Sequence, residues 1–95
     1  MTKIEFYTSV SAESGPDKFE AVEQLLIHHF EGFTVWSGYG RWKREPLEET
    51  YIYTVFSPKP ADNMALVKSI AAQIACQFGQ ETVLYFVSTG EGGFS

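Results

Sequence analysis

Phe33-Thr34-Val35-Trp36-Ser37, then Gly38-Tyr39-Gly40-Arg41-Trp42-Lys43-Arg44-Glu45-Pro46, then Tyr51-Ile52-Tyr53-Thr54-Val55-Phe56 form the stretch that decides the fold. The first part alternates in polarity and the last is rich in β-branched and aromatic residues, so both read as strands. The middle part is polar and carries two glycines, which reads as a loop or a twisted strand end. Ser57-Pro58-Lys59-Pro60 stops the second strand, because proline cannot donate to a ladder. Upstream of this pair, Phe19, Val22, Leu25, Leu26, His29 and Phe30 recur at helical spacing, with Lys18, Glu20 and Gln24 off the stripe. Ser14 with Asp17 fits a capping-box variant, Pro16 suits a first turn, and Gly32 fits the residue that closes the helix. Further upstream, Lys3 to Val10 alternates, with Ile4, Phe6 and Val10 on one face and Glu5, Tyr7 and Ser9 on the other. Downstream, Asp62 or Asn63 caps a second helix whose stripe is Met64, Val67, Ile70, Ala71, Ile74, Ala75 and Phe78, closed by Gly79. A last strand spans Thr82 to Val87.

Strand–helix–strand–strand–helix–strand in 95 residues has one dominant compact solution. Two split βαβ units interleave into an α+β ferredoxin-like fold: a four-stranded antiparallel sheet with both helices on one face. Residues 1–89 make this single domain and residues 90–95 a loose C-terminal tail. Phe6, Leu25, Leu26, Val35, Val55, Ile70, Ile74 and Val83 are the expected core between sheet and helices. Thr8 and Thr54 are the polar side chains that the alternation turns inward. Strand directions bring the end of strand one, the Gly38–Glu49 connection and the Gly79-Gln80-Glu81 turn to the same end of the sheet.

A formal charge of −5 disfavours general nucleic-acid binding, which needs basic stripes; Arg41, Lys43 and Arg44 are too short a cluster to track a duplex. The single cysteine, Cys76, excludes a disulfide framework and a thiolate metal site. It reads as a small hydrophobe packed inward on the second helix. No signal-like segment occurs in residues 1–10 and no apolar run approaches the length of a membrane span, so no membrane role and a cytoplasmic location are expected. Aromatic residues reach 16% of the chain, more than so small a core can hold. One sheet face lacks helices, so a homodimer that covers it, or that pairs edge strands, is expected.

Two motifs carry a resemblance. Gly38-Tyr39-Gly40-Arg41-Trp42, entered through Gly32-Phe33-Thr34-Val35, and Phe78-Gly79-Gln80-Glu81-Thr82-Val83-Leu84 resemble a family of short bacterial and phage proteins of unknown function. The resemblance spans residues 3 to 88. It implies the same fold and a phage or mobile-element setting, and it brings no activity with it.

Several groupings invite a chemical reading. His28 and His29 are helix neighbours about 100° apart, which cannot share one metal ion. Gly38-Tyr39-Gly40 joins two strands, so it lacks the strand–turn–helix setting of a dinucleotide site and reads as a bulged hairpin. Glu13, Glu45, Glu48, Glu49 and Glu81 read as exposed charge. No motif calls for a metal or a cofactor. The group with most chemistry is Arg41, Trp42, Gln80 and Glu81, with Tyr39 and Tyr7: a planar cation, a stacking surface and an amide that both donates and accepts. It either clamps a small anionic or nucleotide-like ligand or reduces to an Arg41–Glu81 ion pair bracing the hairpin. The function expected is a non-enzymatic binding module that sequesters such a ligand or blocks a host protein. The protein would be met through an aromatic, acidic sheet face drawn from Glu5, Tyr7, Trp36, Tyr51 and Tyr53. The alternative is a small dimeric enzyme with a pocket between sheet and helices.

Overall fold

The computed structural model describes residues 1–10, 14–41, 43–57 and 64–92. Its elements are β1 (Thr2–Ser9), α1 (Pro16–His29), β2 (Thr34–Gly40), β3 (Glu48–Ser57), α2 (Met64–Gln77) and β4 (Leu84–Thr89). The strands form one antiparallel sheet in the order β2-β3-β1-β4, the ferredoxin-like arrangement. Each helix carries the chain past one intervening strand, so β1 and β3 become the centre and β2 and β4 the edges.

Period-2 alternation builds the core. Thr2, Ile4, Phe6, Thr8 and Val10 are buried on one side of β1. Register extends that side across the sheet: Ile4 faces Val55 and Val87, and Phe6 faces Tyr53 and Tyr85. α1 buries Val22 and Leu26 against it, and α2 buries Val67, Ile70, Ala71, Ile74 and Ala75. Each large aliphatic chain so buried contributes roughly 1.5–3 kcal/mol. Phe19 bridges the upper end, its ring centroid 5.1 Å from Tyr51 and 5.2 Å from Phe78.

The structure departs from the sequence reading at identifiable places. Of the two readings of Gly38-Tyr39-Gly40 the strand end holds and the loop does not, and no bulge forms there, because β2 runs through all three residues in unbroken register with β3, which begins at Glu48. Val35 is 42% exposed instead of buried. β2 is an edge strand, and Phe33, centroid 6.1 Å from Tyr53, makes the inward contact instead. Leu25 is half-buried at the margin of the core. Cys76 is exposed, one residue and about 100° round the helix from the buried Ala75.

The helix ends differ in chemistry. α1 starts from Gly15 as its N-cap, one residue after the expected Ser14, and Pro16 takes the first-turn position. It closes on an extended Phe30 whose N–H donates to the Leu26 carbonyl at 2.8 Å, leaving Gly32 no closing role. α2 ends as expected. Gly79 has φ +66°, its N–H donates to Cys76 O at 3.3 Å, and the Gln80 N–H donates to Ala75 O at 2.8 Å. That is a Schellman closure. The expected Asp62 or Asn63 cap lies outside the described residues. At the other end of the sheet, Gly90 N–H donates to Met1 O at 3.0 Å and the Met1 amino group donates to Gly90 O at 2.9 Å.

Candidate functional site

Alternation that sends Ile4, Phe6, Tyr53 and Val55 to the helices sends the intervening residues to the opposite face, which no helix among the described residues covers. Register arranges them in rows. Trp36, Ile52, Tyr7 and Leu84 form one row across all four strands, and Thr34, Thr54, Glu5 and Phe86 form the next. Phe56 and Ser88 flank Lys3 in a third. Trp36, Phe56, Leu84 and Phe86 are each between 48% and 65% exposed. Thr54 is buried by its row neighbours on this face, not inside the helix-covered core.

Polar groups punctuate this surface. The Tyr7 hydroxyl donates to Glu5 Oε2 at 3.1 Å, and Lys3 Nζ lies 3.8 Å from Glu5 Oε1. Burial, the hydrogen bond to Glu5 and the Glu5 charge all raise the Tyr7 phenol above its ordinary value, so it stays a donor. Near the lower end, a hollow of about 170 Å³ opens between Lys3, Phe56 and Gly90. Tyr51 and Tyr53 do not belong to this face. Tyr53 sits opposite Phe6 and is buried, and Tyr51 is half-buried against Phe19. Ile52, Phe56, Leu84 and Phe86 supply the apolar area instead. Counting outward from the buried Phe6 through the pairing register identifies them; single-strand patterns do not.

The loop-end group is divided by strand order. The β2–β3 hairpin and the α2–β4 turn do lie at the same end of the sheet. They sit on opposite edges, however, three strand spacings or about 14 Å apart. Arg41 is exposed on the β2 side, and no Arg41–Glu81 ion pair forms among the described residues. Trp42 lies outside the described residues. Tyr39 is 80% exposed and points to the helix side of β2, while Tyr7 lies on the open face. Strand order thus sets Arg41 at the edge opposite Gln80 and Glu81.

Gln80 and Glu81 have a different setting. The Gln80 side chain donates to the Phe78 carbonyl at 3.4 Å, folding back over the helix end. Both residues border a groove of about 300 Å³ between α2 and β4, with Lys68 and Tyr85 also on its walls. Sequence reasoning missed Lys68, whose position off the apolar stripe gave no sign of a neighbouring strand edge. His28 and His29 stack edge to face at 4.8 Å and are both exposed. No group of three His, Cys, Asp or Glu among the described residues is placed to hold a metal ion. No helix among them is long and apolar enough to cross a membrane.

No family model matches the chain, and no curated protein matches it in sequence. Among solved structures, a phage SAM lyase in its apo state is similar in fold, with a TM-score of 0.71 at 10% sequence identity. The similarity covers 92% of this chain and 78% of that one. At that identity the likeness speaks for the fold.

Proposed function

We propose that the protein is a non-enzymatic binding module that docks a partner protein on the uncovered face of its sheet. The observation that carries this reading is the apolar band of Trp36, Ile52, Leu84, Phe86 and Phe56. With four of these side chains 48–65% exposed, the band offers on the order of 400 Å² of apolar area. The largest apolar patch on a monomer is typically about 300–600 Å² and is often functional, and aromatics are enriched at interaction sites. Glu5, which is paired with Lys3, and Glu48 lie on the same face by register, and the chain carries a formal charge of −5. The partner that fits is a protein with an exposed apolar patch rimmed by lysine or arginine. Blocking a host protein on behalf of a phage or other mobile element suits this reading, and the phage origin of the structural neighbour agrees with it.

A second copy of the chain is the rival occupant of the same band, and the aromatic surplus favours it too. Two copies of a chain with formal charge −5 repel each other, whereas a basic partner is attracted. Light scattering separates the two. A mass near 10.7 kDa at micromolar concentration leaves the face free for the partner. A doubled mass that Phe86→Asp returns to the monomer value assigns the face to the homodimer. For the partner, binding retained by the wild type should weaken at least about tenfold in Trp36→Ala. Stability should change by less than about 1 kcal/mol, because Trp36 sits on an exposed edge strand. A basic partner that binds Trp36→Ala and Phe86→Asp as tightly as the wild type would defeat the proposal.

A further inference from the structure

The phase of the β1–β4 ladder determines what the free edge of β4 presents. Met1 and Gly90 exchange both backbone hydrogen bonds. In an antiparallel pair such exchanges recur at every second residue. Lys3 with Ser88, Glu5 with Phe86 and Tyr7 with Leu84 are therefore the bonded pairs. The N–H and C=O groups of Tyr85, Val87 and Thr89 consequently turn away from β1, toward the open edge. Val10 N–H donating to Glu49 O at 3.0 Å confirms the phase from the other side, since the even-numbered residues of β1 bond to β3.

Edges of this kind are ordinarily blunted by charge, proline or a bulge. Leu84-Tyr85-Phe86-Val87-Ser88-Thr89 contains neither a charged residue nor a proline, and its register with β1 is continuous. Beside this edge, on the helix side, runs the groove of about 300 Å³. Ala71, Ala72 and Ala75 keep the α2 wall low, and Tyr85 forms the opposite wall. Lys68 stands toward one end and Glu81 at the other, and neither is in an ion pair among the described residues. The β2 edge is also unpaired among the described residues, but Gly38 and Gly40 interrupt it and its helix-side residues Val35 and Tyr39 are exposed, with no described helix wall beside them.

We propose that the groove between α2 and β4 takes an extended peptide segment of a partner protein as a fifth strand of the sheet. The inference rests on the reading of the chain as a protein-binding module and uses a surface separate from the open face. Main-chain groups of the peptide bond to Tyr85 and Val87, and its alternate side chains drop into the alanine-floored groove. The end lying beside Lys68 carries an acidic residue and the end beside Glu81 a basic one. Small or medium apolar side chains occupy the positions between them.

Selection from a random library of displayed peptides about ten residues long tests this, since at ~3.3 Å per residue such a peptide outspans the edge. Selected peptides should alternate apolar residues between ends of opposite charge. Their binding should protect the Tyr85 and Val87 amides from hydrogen exchange and slow alkylation of Cys76, which borders the groove. Ala72→Trp, which fills the groove from the exposed side of α2, should weaken binding at least about tenfold. Trp36→Ala should leave it unchanged. A fresh selection against Lys68→Glu with Glu81→Lys should return peptides of reversed charge order. An empty selection, peptides indifferent to Ala72→Trp, or protection on β2 instead would overturn the inference. Partner capture that still depends on Trp36 would then leave the open-face reading standing. Peptide binding that persists while Trp36-dependent capture fails would reject the open face alone.

Discussion

Ile74 and Tyr53 show how much single buried side chains decide in a domain this small. Ile74 is fully buried between α2 and the sheet, where close packing leaves its neighbours little room to relax. Ile74→Ala should cost about 2–4 kcal/mol, read as a lower urea midpoint with an unchanged slope. An unmoved midpoint would contradict the packing described. Tyr53 makes a prediction in pH. Burial first, then the nearby Glu23 and Tyr51 charges, push its phenol up to about 12 from an ordinary 10.0. The folded state therefore holds this proton where the unfolded state releases it. The stability it contributes is complete below pH 10.0 and is lost as pH rises through about 12. Tyr53→Phe should flatten that alkaline loss in a series of denaturant melts, and an equally steep loss in the variant would assign it to other groups.

At the scale of elements, the two glycines that follow the helices make a controlled comparison. Gly79 holds φ +66° inside the Schellman closure of α2, a conformation that costs an L side chain about 1–2 kcal/mol. Gly32 follows α1 without a positive φ, and a Cβ placed there meets nothing within 4 Å. Gly79→Ala should lower stability by about 1–2 kcal/mol, and Gly32→Ala should stay within about 0.5 kcal/mol of the wild type. Equal effects would mean that α2 does not end as described. The sequence alone makes these glycines look alike, since each follows an apolar helical stripe. The difference arises because Phe30 leaves α1 in an extended conformation two residues before Gly32 is reached.

The molecule as a whole is a two-layer sandwich of one sheet and two helices, so the far face of the sheet has no helix layer among the described residues. If the proposed basic partner docks here, long-range attraction would bring it in and the band would hold it, so the association rate should carry most of the salt dependence. Raising ionic strength should slow association with the captured partner while leaving its dissociation nearly constant. A dissociation rate that rises as steeply would place charged pairs at the centre of the contact instead of its rim.

Element order, the fold class and most of the core were legible in the chain because each depends on a local period. Ile4, Phe6, Leu26, Val55, Ile70, Ile74 and Val83 are all buried as their spacing implies. Gly79 was legible because a helix end has a local chemistry of its own. Position across the sheet was not legible in the same way. Val35 looks as buried as Val55 in its own strand, and only its place at the edge exposes it. Tyr51 and Tyr53 join the helix side because register sets Tyr53 opposite Phe6, information held by two strands and by neither one. Arg41 and Glu81 share an end of the molecule by strand direction but not an edge by strand order. The local pattern thus determined what each element is and which of its residues are apolar. The pairing of distant strands decided which face each residue joins, because hydrogen bonds between strands, unlike periodicity within one, link residues far apart in the chain.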